Sequence, residues 1–238
     1  MSSFRFKQFT IHQDQCAMKV CTDACLFGAW AADMISSGKI APKNILDIGS
    51  GTGLLSLMLA QISSAEIDGV EIDDRAFHQS TENAAASSRL KNIRIYHCPI
   101  TEFVTETKYD LVICNPPFYE DQLRSGNDQR NLAMHSTALS FIELADAIKT
   151  HLTQTGSAVV LLPYDRVNPF EKELNDKGLF ITEKAHIAHS PAHPFFRSFL
   201  LISFIQQPVL ESNILIKDST DGYSEEFCRL LKDYYLAL

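Results

Sequence analysis

No apolar run in this sequence reaches the length of a membrane span, and the opening Met1-Ser2-Ser3-Phe4-Arg5-Phe6 lacks the apolar core of a signal peptide. The expected compartment is therefore the cytoplasm, with no membrane partner. Basic residues are also scarce. The 21 Lys and Arg stand against 29 Asp and Glu, a formal net charge of −8, which excludes indiscriminate nucleic-acid binding over a generally basic surface but leaves room for a local patch. The first 44 residues oppose such a patch least, with Arg5, Lys7, Lys19, Lys39 and Lys43 against Asp14, Asp23 and Asp33.

Paired-cysteine spacing is missing as well. Cys16, Cys21, Cys25, Cys98, Cys114 and Cys228 form neither a CxxC half-site nor an iron–sulfur pattern, so no metal is expected and the first three are read as small buried hydrophobes. His186, His189 and His193 match no metal motif either. No Gly/Ser-rich or Pro-rich stretch divides the chain, so residues 1–238 are read as one domain with an N-terminal extension over 1–43. Nothing calls for a partner subunit, and a monomer is expected.

What the sequence does contain is alternation. Apolar, β-rich runs at 44–48, 66–72, 92–97, 109–114, 157–162, 180–188 and 198–205 predict seven strands. Helical periodicity fills the gaps at 54–62, 74–88, 140–152 and 170–177, and a further helix includes Leu26 to Ala32. Strands alternating with helices imply right-handed crossovers and a mostly parallel, doubly wound α/β sheet covered on both faces. The last two strands have no helix between them and predict an antiparallel C-terminal hairpin. Ligands on such sheets bind at the carboxyl ends of the strands.

Two motifs fall at those ends. Asp47-Ile48-Gly49-Ser50-Gly51-Thr52-Gly53 closes the first strand of the sheet and opens a helix, so its glycines let the backbone approach a ligand while the helix start offers amide hydrogens. A dinucleotide fingerprint would need a third glycine at position 54, which is leucine, and Asp47 would repel a pyrophosphate. A cofactor with a cationic amino group fits better. Glu71, with Ile72 after it, ends the next strand 24 residues on, where an acid chelates ribose hydroxyls. S-adenosylmethionine has the matching ribose, adenine and amino acid.

The second motif is Asn115-Pro116-Pro117-Phe118, at the end of the run Tyr109 to Cys114. Two prolines remove two backbone donors and fix both φ angles, so the strand stops in a rigid turn. The Asn115 side-chain carbonyl and the Pro116 backbone carbonyl can hold the hydrogens of a flat exocyclic amine while Phe118 stacks on its ring. Asn115 then faces both cofactor and substrate. Tyr119 is a second stacking surface or a packing residue.

The glycine loop, the Asn-Pro-Pro-Phe turn, the stretches Phe6 to Ile11 and Cys16 to Asp23 ending in Gly28-Ala29-Trp30, and Leu230 to Tyr235 together resemble the bacterial tRNA1(Val) (adenine37-N6)-methyltransferases along nearly the whole chain. The resemblance implies a class I methyltransferase fold and methyl transfer from S-adenosylmethionine to the N6 of an adenine in a tRNA anticodon loop, with residues 1–43 contributing to cofactor and RNA binding. It implies that Thr22 and Asp23 border the methionine end of the cofactor, besides capping their helix. Where relatives carry an acid against the cofactor's adenine, this chain reads Cys98-Pro99-Ile100-Thr101, so Ile100 offers apolar contact and Pro99 starts a short helix.

An adenine inside a duplex cannot reach such a pocket, whereas one in a loop can. Candidate tRNA contacts are Arg5, Lys7, Arg124, Arg130, His193 and Arg197. A release-factor glutamine methyltransferase would use a similar turn on a side-chain amide, but such enzymes carry Tyr at the fourth position and a sizeable helical N-terminal domain. A DNA adenine methyltransferase would need a target-recognition region that this length hardly allows. A non-catalytic cofactor-binding partner of another RNA enzyme would not need the two acceptors.

Overall fold

The computed structural model describes residues 2–87, 92–116 and 139–238. A two-stranded antiparallel hairpin, β1 (Ser3–Arg5) and β2 (Thr10–His12), comes first. Helix α1 (Thr22–Ser36) leads into an eight-stranded sheet with α2 (Leu54–Ala60), α3 (Asp74–Ala86), α4 (Phe141–His151) and α5 (Val167–Asp176) in its crossovers. Its strands are β3 (Asn44–Ile48), β4 (Glu66–Glu71), β5 (Ile93–His97), β6 (Tyr109–Cys114), β7 (Leu152–Pro163), β8 (Phe180–Ala188), β9 (Phe195–Ser203) and β10 (Leu210–Leu215). Helix α6 (Glu225–Leu231) follows.

The spatial order is β10-β8-β9-β7-β6-β3-β4-β5. Every pairing is parallel except those of β9, which runs antiparallel to both β7 and β8. The seven expected strands and the antiparallel β8–β9 hairpin are present. An eighth strand, β10, adds itself parallel to β8 at the edge. Four of its six residues are exposed, so it carries little of the apolar signal that marks the others.

Alternation along each strand divides the core between the two faces. Ile45, Ile67, Leu111, Ile113, Val159 and Leu161 pack toward α1, α2 and the N-terminal hairpin. Leu46, Ile48, Val70, Val112, Cys114 and Val160 pack toward α4 and α5. Burial of both faces supplies the main driving force, at about 25 cal/mol per Å² of apolar surface. Helix α4 starts with a reciprocal capping box: Glu143 N donates to Ser140 Oγ at 3.2 Å, and Ser140 N donates to Glu143 Oε2 at 2.8 Å. The Ser140 hydroxyl, which also donates to Glu143 Oε2 at 2.7 Å, and the Ser140 N–H together hold the Glu143 carboxyl below the usual glutamate range.

The N-terminal extension is tied down at both ends of its own sequence. Phe4 and Phe6 pack on Tyr235 with ring centroids 5.7 and 6.1 Å away, and Lys7 N donates to Tyr234 O at 2.9 Å. Buried Asn83 of α3 donates to both His12 O and Thr52 O while accepting from His12 N, joining β2 to the glycine loop. Among the described residues no helix is long and apolar enough to cross a membrane, and no three His, Cys, Asp or Glu are placed to hold a metal ion.

Candidate active site

A cavity of about 450 Å³ opens at the carboxyl ends of β3, β4 and β6. Its floor comes from Ile48, Gly49, Gly51, Val70 and Glu71; Asn115 and Pro116 form one side, Ile72, Pro99 and Ile100 another, and Cys16, Ala17 and Met18 reach over it from the segment before α1. Strand order explains the convergence. β3 lies between β4 and β6, so the glycine loop after β3 is flanked by the Glu71 end of β4 and the Asn115 end of β6.

Gly49, Gly51 and Gly53 have φ of +71°, +56° and +78°. L side chains rarely adopt these angles, which is why glycine recurs at alternate positions. The loop so formed aims Gly51 N at Glu71 Oε2, 2.7 Å away, and Asp73 N donates to Glu71 Oε1 at 2.9 Å. A carboxylate has about four acceptor sites, so two remain for the hydroxyls of a diol. Glu71 is buried on the cavity wall.

Asp47 is fully buried beneath the loop. Its Oδ2 accepts from Ser56 N at 3.1 Å and Ser56 Oγ at 2.6 Å, whereas Oδ1 has no partner. Burial raises its carboxyl to about 6, the Ser56 hydrogen bonds pull it partly back, and Glu71 adds to the rise. Asp47 does not itself line the cavity, but Ile48 and Gly49 beside it do. An unpaired buried carboxylate oxygen at this position suits a ligand carrying an ammonium group, and the Glu71 pair suits a ribose. The residues present fit S-adenosylmethionine.

The structure brings Asn115, Pro116, Gly49, Gly51, Glu71, Ile72 and Ile100 together as the sequence predicts. Gly53 stands back as the left-handed N-cap of α2. Pro99 precedes the 3-10 turn Ile100–Glu102, as expected. Pro117, Phe118, Tyr119, Arg124 and Arg130 lie outside the described residues.

Other expectations change. Cys21, not Thr22 or Asp23, is the N-cap of α1, and it makes no side-chain capping bond. Thr22 and Asp23 do not line the cavity; Asp23 Oδ2 instead accepts from Arg197 Nε at 3.0 Å. Cys21 is exposed, while Cys16 and Cys25 are buried. Lys7 sends its ammonium to the backbone carbonyl of Lys232, and His193 Nδ1 meets Ser190 Oγ at 2.8 Å; neither lines the cavity. Ala17 and Met18 at the rim carry no chemistry that residue-by-residue reading would single out, and only the likeness of the whole Cys16 to Asp23 stretch marked them.

Comparison with known proteins adds two kinds of likeness. The model of the methyltransferase small domain family matches residues 29–161. Full-length likeness is found to proteins named tRNA1(Val) (adenine(37)-N6)-methyltransferase. One from Dyadobacter fermentans is 43% identical over 98% of this chain and 97% of its own, one from Pseudoalteromonas translucida 40% over all of both, and one from Flavobacterium psychrophilum 38% over 99% and 100%. Among solved structures, an S-adenosylmethionine-dependent methyltransferase from Clostridium acetobutylicum superposes with a TM-score of 0.55 at 15% identity, covering 78% of this chain and 92% of its own. A ribosomal protein L11 methylase from Lactobacillus delbrueckii gives 0.53 at 18%, covering 74% and 76%. These two show the fold.

Proposed function

The chain belongs to the tRNA1(Val) (adenine(37)-N6)-methyltransferase family, and we infer from that membership that it transfers a methyl group from S-adenosylmethionine to N6 of A37 in tRNA1(Val). The observation that carries this reading is the meeting of Asn115 and Pro116 with the glycine loop and Glu71 on one cavity. The tRNA names of the full-length relatives disfavour the release-factor and non-catalytic readings.

S-adenosylmethionine supplies an electrophilic methyl group. Glu71 would hold the ribose hydroxyls, Asp47 would attract the ammonium across Gly49, and Ile72 and Ile100 would flank the adenine. Thr22 and Asp23 would steady the segment over the methionine end. Asn115 Oδ1 and the Pro116 carbonyl accept from the substrate N6 amine, draw its lone pair out of ring conjugation and point it at the methyl carbon. The bound cofactor would supply the methyl group and leave as the thioether, and the amine, cationic once methylated, would lose a proton held by Asn115 Oδ1 or the Pro116 carbonyl, so no strong base is required. Such positioning lowers a barrier by about 7–11 kcal/mol. Pro117 would keep the turn rigid and Phe118 would stack on the base, with Tyr119, Lys7, Arg130, His193 and Arg197 toward the RNA.

Action as a monomer, with residues 1–43 covering the cofactor, belongs to this reading; Cys16, Ala17 and Met18 of that stretch line the cavity. The cytoplasm is the compartment proposed here. Incubation with labelled cofactor and, in parallel, total tRNA, duplex DNA and release factor tests the reading. Label recovered as N6-methyladenosine from tRNA is expected; label in protein, in DNA or nowhere refutes it.

A further inference from the structure

Three aromatic rings meet at the carboxyl edge of the sheet, outside the cavity. Tyr164 follows β7, His186 lies near the end of β8 and Phe195 begins β9. Their ring centroids are 5.0 Å apart for Tyr164–His186, 5.4 Å for His186–Phe195 and 5.5 Å for Tyr164–Phe195. The His186 ring is pinned by its Nδ1 against the buried Ser198 Oγ at 2.9 Å. Burial, with Lys184 helping and Glu211 opposing, holds His186 below the ordinary histidine range, so this ring is neutral at neutral pH. Tyr164 is 44% exposed.

The turn that carries Tyr164 also carries a residue that meets a neighbour of the cavity wall. Arg166, two residues after Tyr164, lays its guanidinium over the Phe141 ring at 5.2 Å, and Phe141 stands between Leu139 and Glu143, both on the cavity wall. β7 runs parallel to β6 with Val160 opposite Cys114, so strand spacing puts Tyr164 on the order of 10 Å beyond Asn115.

We propose that Tyr164, His186, Phe195 and Arg166 form the platform on which unpaired bases flanking the target adenine stack when the tRNA loop is bound. The proposal rests on the tRNA reading above. Aromatic and guanidinium planes take any base by its π-face, and an exposed, pre-positioned ring loses little freedom on binding. Charges here are mixed, with Asp165 and Glu211 set against Arg166 and Lys184, so the ring faces rather than net charge carry the recognition.

The test compares the full-length wild type with Tyr164→Ala, Tyr164→Trp and Phe195→Ala in steady-state methylation of a tRNA1(Val) transcript, with S-adenosylmethionine affinity as a control on folding. Tyr164→Ala is expected to raise KM for tRNA about 5- to 140-fold, the equivalent of a stack of about 1–3 kcal/mol, with cofactor affinity unchanged and Tyr164→Trp close to wild type. An anticodon stem-loop with 2-aminopurine beside the target should lose fluorescence on wild type but not on Tyr164→Ala. A wild type that methylates the transcript while Tyr164→Ala keeps the same KM and the same quenching overturns the platform alone. A wild type inactive on the transcript overturns the function beneath it.

Discussion

Asp23 and Arg197, 174 positions apart, meet in an ion pair in which Arg197 Nε donates to Asp23 Oδ2 at 3.0 Å. The pair fastens the first turn of α1 to β9 and so fixes the segment that reaches over the cavity. Both side chains are largely sheltered, at 16% and 24% exposure. Asp23→Asn removes a charge-assisted bond and should cost about 1–3 kcal/mol, read as a lowered urea midpoint with an unchanged slope.

Glu71→Gln should weaken cofactor binding more than it weakens the fold. Gly51 N and Asp73 N each donate to a different Glu71 oxygen, and a glutamine turns one of those acceptors into a donor facing an N–H. With one hydrogen bond opposed and the ribose partner diminished, a loss of about 10- to 100-fold in S-adenosylmethionine affinity is expected, at about 1.4 kcal/mol per tenfold. Calorimetric titration measures it.

Asp47 gives a dependence on pH with a definite sign. Its folded carboxyl titrates near 6, above the ordinary aspartate value, so between about pH 4 and 6 the native state keeps a proton that the unfolded chain has lost. Its contribution to stability is full below that window, falls as pH rises through it and stays lost above it. Two pH units correspond to about 3 kcal/mol. Urea unfolding at pH 4 and pH 7 should show this difference in the wild type relative to Asp47→Asn, which lacks the titrating group; equal pH profiles would remove the assignment.

Asn115→Ala should collapse turnover on tRNA while leaving cofactor affinity nearly intact. In the proposed arrangement the side chain would hold the substrate amine, whereas Glu71 and the glycine loop would hold the cofactor. Single-turnover methylation with saturating cofactor separates the two effects, and undiminished chemistry in this variant would refute the role given to the turn.

The sheet was legible because its central strands are buried on both faces and read as unbroken apolar runs, such as Leu111 to Cys114 and Ala158 to Leu162. The glycine loop was legible because positive φ leaves a compositional mark. The hairpin strands β1 and β2, three residues each, are too short to show a period, and β10 is mostly exposed. The Asp23–Arg197 pair and the Tyr164–His186–Phe195 cluster join elements that only tertiary packing brings together, so no local pattern announces them.

The hairpin leans on Tyr234 and Tyr235, so two stretches far apart in the chain share one packing unit: Phe4 and Phe6 rest on the Tyr235 ring, and Lys7 N donates to Tyr234 O. Cys16, Ala17 and Met18 follow that hairpin and line the cavity, so the packing of Tyr235 bears on the cavity's rim from more than 200 positions away in sequence.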